Sequence, residues 1–130
     1  MPVNGEWLDE ARTIWQYNFI GRWTWEEFYA VSTRMHEEFR TLEHRIDMIA
    51  NFEQSERIPA GAISEVSNIT QTAPPNWGCA VVIGANMLIR SLVSVFGRVF
   101  SQWKDKYIVA RDQEEALQRI RDLRARNAAP

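Results

Sequence analysis

Between Arg12 and Trp23 the aromatic residues Trp15, Tyr17, Phe19 and Trp23 alternate with Gln16, Asn18 and Arg22. This period of two predicts a half-buried strand with one aromatic face. The period then lengthens. Thr24-Trp-Glu-Glu27 has capping-box spacing and predicts a helix whose apolar side runs through Trp25, Phe28, Ser32, Met35 and Phe39. His44 to Phe52 predicts a second, mostly apolar strand containing Asp47, followed by a solvated loop, Glu53-Gln-Ser-Glu-Arg57. Ile58-Pro59-Ala60-Gly61 leads into a second helix, since proline suits a first helical turn and Ala62, Ile63, Val66 and Ile69 recur at helical spacing. Pro74-Pro75 ends it.

The centre of the pattern is Trp77 to Phe100. Cys79-Ala-Val-Val-Ile83, flanked by turn formers, predicts a strand buried on both faces. Gly84 and Ala85 permit a tight turn, and Asn86 is placed to cap a helix in which Met87 through Phe100 are apolar over most of the wheel. A polar connection from Gln102 to Lys106 follows, then a short strand at Tyr107 to Ala110. Asp112-Gln-Glu-Glu115 opens a last helix along Ala116, Leu117, Ile120 and Leu123. Residues 1–11 leave room for an edge strand anchored by Trp7 and Leu8, turning at Asp9-Glu10; residues 126–130 read as a frayed tail. Alternating strands and helices predict one α/β domain over residues 12–125, with a four- or five-stranded mixed, mainly parallel sheet and four helices. Whether the helices cover one face of the sheet or both stays open.

Charge and composition narrow the function. Fifteen basic against 17 acidic residues, net -2, give no global field that would draw in nucleic acid. The single Cys79 excludes an internal disulfide and falls in the predicted buried strand. No apolar stretch approaches the ~20 residues of a membrane span, and the first 12 residues lack a signal-peptide pattern, so a cytoplasmic protein is expected.

Candidate chemistry is sparse. His36 and His44 have no metal-ligand spacing with each other or with Cys79, and each reads as an ordinary surface or hydrogen-bonded histidine. Gly84-Ala-Asn86 lacks the lysine and glycine spacing of a phosphate loop. Asp47, inside an apolar strand, would carry a raised pKa if buried alone; pairing with Arg45 or Arg90, or a place at the sheet edge, is the plainer reading. Glu53, Glu56 and Glu65 supply acids without an evident base or nucleophile. No cofactor or metal is expected, and an enzyme is disfavoured.

Gly21-Arg-Trp-Thr-Trp-Glu-Glu-Phe28, His44-Arg-Ile-Asp-Met-Ile-Ala50, Ala80-Val-Val-Ile-Gly-Ala-Asn86 and Tyr107-Ile-Val-Ala-Arg-Asp-Gln-Glu-Glu-Ala-Leu117, in this order, resemble the STAS domain superfamily. More narrowly they resemble SpoIIAA-like proteins, related to anti-sigma-factor antagonists. The resemblance covers about residues 12–125 and implies a regulatory, non-enzymatic module. In such regulators a loop serine beside an aspartate is phosphorylated. The matching loop, residues 53–63, offers Ser55, with Ser64 further on and no Asp-Ser pair, so Ser55 is the candidate phosphoacceptor and a solvated loop serine is the plainer reading. From the residues themselves, the apolar excess of the third helix predicts a protein-interaction surface at Ile89, Val93, Phe96 and Phe100, most simply in a homodimer. The alternative is a pocket for a small apolar or lipid-like ligand among Trp25, Phe28, Phe96 and Phe100.

Overall fold

The capping box forms as its spacing requires: Glu27 N donates to Thr24 Oγ1 at 3.2 Å and Thr24 N donates back to Glu27 Oε1 at 3.0 Å. It opens helix α1, Trp25–Arg40, which buries Phe28, Val31, Ser32, Met35 and Phe39. The structure is a computed structural model describing residues 2–128. Strands β1 (Val3–Trp7) and β2 (Ile14–Gly21) precede α1; β3 (Ile46–Ser55), α2 (Ala62–Thr72), β4 (Trp77–Ile83), α3 (Met87–Val99), a short 3-10 turn, β5 (Tyr107–Val109) and α4 (Gln113–Ala128) follow. The sheet order is β1-β2-β3-β4-β5, with β1 antiparallel to β2 and every other pair parallel.

The helices split three to one. Aromatic residues of β2 pack with Met48, Ala80 and the apolar face of α1, on the side that α2 and α3 also cover. On the opposite face Ile14, Ile49, Val81 and Ile83 meet Ala116 and Ile120 of α4 alone. β4 is therefore buried on both sides, as its uninterrupted apolar run predicted.

Several boundaries differ from expectation. β3 runs on to Ser55, where a solvated loop was expected, because Gln54 and Ser55 pair with Ile20 and Gly21 of β2. Backbone pairing is indifferent to the polar side chains that made the segment look like a loop. α2 opens at Ala62, not around Pro59, because Gly61 adopts φ +83 immediately before it. α4 continues through the expected frayed tail to Ala128; residues 129 and 130 lie outside the described part. Its cap is also offset: Asp112 Oδ1 accepts from Glu115 N at 2.9 Å, but the Glu115 carboxylate accepts from Arg111 N rather than from Asp112.

Candidate functional site

Two strand-to-strand rows shape one face of the sheet. Trp15, Met48, Ala80 and Tyr107 are register partners across β2 to β5, and Tyr17, Ala50 and Val82 are partners one step along. In the first row Trp15 and Tyr107 flank Met48 and Ala80; in the second Tyr17 stands beside the smaller Ala50 and Val82, with Val109 beyond them. A cavity of about 150 Å³ remains between sheet and helices over these residues. Phe28 and His36 of α1, Ile63, Val66 and Ile69 of α2, and Ile89, Val93 and Phe96 of α3 complete its wall.

The lining is almost wholly apolar and holds no charged side chain besides the titratable His36. Burial, then the nearby Arg40 charge, lowers the His36 pKa, so the imidazole is neutral at pH 7. Burial pushes the Tyr107 phenol up to about 12, and its hydroxyl is 2.8 Å from Thr70 Oγ1. Trp77 also lines the cavity, and its buried indole N–H has no hydrogen-bond partner among the described residues.

Of the four residues expected to make a ligand pocket, Trp25, Phe28 and Phe96 line this cavity and Phe100 does not. Phe100 instead borders an outer cleft between α2 and α3 with Gly61, Ser64 and Ser67. The cleft and the cavity share Ala62, Ile63 and Leu92 in their walls. Of the four expected on an interaction surface, Ile89 and Phe96 are buried within their own chain, and Val93 and Phe100 are half-buried. Phe96 packs edge-on to Tyr107 at 5.3 Å and stacks with Trp103 at 6.1 Å, tying the end of α3 to β5. The apolar residues that α3 does expose are Met87, Leu88 and Val99.

Ser55 is neither in a loop nor fully exposed. Its Oγ accepts from the indole N–H of buried Trp23 at 3.0 Å and donates to Arg57 O at 3.0 Å. Ser64, in the first turn of α2, is exposed.

Asp47 is fully buried in the middle strand of the sheet, not at its edge. Its Oδ1 accepts from Arg45 Nε and Cys79 N, both at 3.0 Å, and its Oδ2 accepts from Arg124 Nε at 2.8 Å. Arg124 takes the place expected for Arg90, because α4 crosses this face of the sheet and α3 the other. The carboxylate is occupied structurally and does not line the cavity, and His44 stands apart, exposed, with Nε2 2.8 Å from Arg12 O. Gly84 has φ +71, and Asn86 Oδ1 accepts from Ile89 N at 2.9 Å, a capped turn. No cluster of metal-binding side chains occurs among the described residues.

The arrangement of strands and helices belongs to a known class. A solved structure of the anti-sigma factor antagonist SpoIIAA in its unphosphorylated form superposes with a TM-score of 0.65, covering 92% of this chain and 96% of that one at 15% identity. The chain therefore has the SpoIIAA-like STAS fold. No protein-family profile and no curated protein matches it.

Proposed function

We propose that this chain is a non-enzymatic STAS-type module that holds a small apolar ligand in the cavity between its sheet and helices α1 to α3. The observation that carries the reading is the cavity itself: about 150 Å³ with an apolar lining. An engineered apolar cavity of this size in another protein stays dry and takes up benzene. The ligand is accordingly a single aromatic ring or a short alkyl segment. A charged group inside would find no counter-ion in the lining, at a desolvation cost of several kcal/mol. The likeness to an anti-sigma factor antagonist supports a regulatory use, in which a protein partner reads whether the cavity is filled.

Toluene tests the reading. At ten times its Kd a ligand adds ~1.4 kcal/mol to stability, which raises the Tm of a domain this size by roughly 5 °C. Ala80→Leu should fill the cavity and abolish the shift, with Ala50→Leu as a second variant should the first fold poorly. A folded wild type whose Tm and tryptophan fluorescence ignore saturating toluene would overturn the proposal.

A further inference from the structure

Among the described residues, the large apolar side chains left exposed all belong to one helix: Met87 at 85%, Leu88 at 57% and Val99 at 61%, on α3. At 100° per residue, Leu88, Val95 and Val99 form one line along its outer side, next to a line of Met87, Ser91 and Arg98. α3 itself carries two cations, Arg90 and Arg98, and no carboxylate; the exposed acids nearest to it are Glu53, beside Gly84 at the turn before the helix, and Asp105, which follows Lys104. From Val66 to Lys104 the chain has no acidic residue and three cations, Arg90, Arg98 and Lys104, although the whole chain is net -2. All three are exposed, and none makes an ion pair among the described residues.

We propose that the outer face of α3 docks on an anionic lipid surface. Met87, Leu88 and Val99 enter the boundary between headgroups and acyl chains, and Arg90, Arg98 and Lys104 lie against lipid phosphates. Exposed apolar groups combined with unpaired cations on one helix are the features that hold an amphipathic helix in the membrane interface. No described helix is long and apolar enough to cross a membrane, so the contact is peripheral. Charge also argues against a second copy of the chain as occupant. A two-fold dimer through α3 would bring Arg90 and Arg98 towards the same arginines of the partner, and the helix carries no carboxylate to pair with them. This inference is independent of the cavity ligand, although the cleft between α2 and α3 would then open beside the bilayer.

Sedimentation with vesicles tests it, using the full chain. Wild type should pellet with equimolar phosphatidylserine and phosphatidylcholine, not with phosphatidylcholine alone, and binding should weaken as salt rises. Met87→Ser combined with Leu88→Ser should abolish pelleting. Arg90→Gln and Arg98→Gln should each weaken it about fivefold, the equivalent of ~1 kcal/mol per cation. These are exposed positions where substitution leaves folding nearly unchanged, and melting curves check that. Wild type remaining in the supernatant with anionic vesicles, or pelleting equally in every variant, would overturn the proposal. So would light scattering without lipid that gives twice the chain mass, reduced to one by the Met87 and Leu88 substitutions, which would assign the face to a second copy. Toluene binding needs no lipid, so its outcome is separate from this one.

Discussion

Replacing Asp47 by asparagine removes one charge from the best-connected polar group in the interior. The carboxylate is fully buried, and it holds Arg45 from its own strand, Arg124 from α4 and the Cys79 amide from β4. Arg124 extends the network by donating to Thr13 Oγ1 at 3.1 Å and Thr13 O at 2.7 Å, which pins the C-terminal half of α4 to the start of β2. Removing one partner of a buried pair costs about 3–5 kcal/mol. The two arginine side chains keep 34% and 31% exposure and can partly rehydrate, which places the loss at the lower end, about 3 kcal/mol. Against a total stability of about 5–15 kcal/mol this is a large fraction. With a urea slope of about 2 kcal/mol per molar, the unfolding midpoint of Asp47→Asn should fall by ~1.5 M. A double-mutant cycle with Arg124→Met should return a coupling of at least ~1 kcal/mol, since the two side chains touch. If Asp47→Asn melts within ~0.5 kcal/mol of wild type, the argument that this network clamps α4 to the sheet is wrong.

Ser55→Ala should cost ~1–3 kcal/mol in a thermal melt, because it leaves the buried Trp23 indole N–H unpaired; a variant as stable as wild type would contradict the assignment. Cys79 should resist alkylation at pH 8 in the folded protein and react on unfolding, since burial, then the adjacent Asp47 carboxylate, pushes its thiol up to about 12. At Asp9 burial acts upward, but hydrogen bonds from the Thr13 hydroxyl and from Thr13 N and Ile14 N outweigh it and hold the carboxyl below the ordinary range. A depressed folded-state pKa contributes stability above the unfolded value and loses it as pH falls through the folded one. The stability gap between wild type and Asp9→Asn should therefore be full at neutral pH and shrink in acid below about pH 4, as urea midpoints across pH would record.

Local rules made much of the fold readable. Thr24 with Glu27, Asn86 before Met87, and the apolar run from Cys79 to Ile83 each specify their element through contacts within a few residues, and each element forms there. Ser55 was misplaced because its strand end is held by pairing with β2, which no local pattern announces. Arg124 was missed as the partner of Asp47 because the two are far apart in sequence and meet only once α4 settles on the face opposite α3. The cavity was half legible. Trp25, Phe28 and Phe96 stood out as large apolar residues, whereas Ala50, Ala80 and Val82, whose small size leaves the space, looked like ordinary strand residues. The register sets Ala50 and Val82 beside Tyr17 and Ala80 beside Tyr107, and register is a property of the assembled sheet. The breadth of apolar positions on α3 pointed to a second surface, but the inner half of that breadth is cavity wall, and only Met87, Leu88 and Val99 are left for anything outside.

The most direct measurement is a crystal structure of the protein soaked with a single-ring apolar compound carrying a heavy atom, such as bromobenzene. Anomalous density is expected between Phe28, Ala80 and Phe96, beneath α3, with the backbone little changed and no such density in Ala80→Leu. Density confined to the outer surface of α3, or a site packed shut by the surrounding side chains, would contradict it.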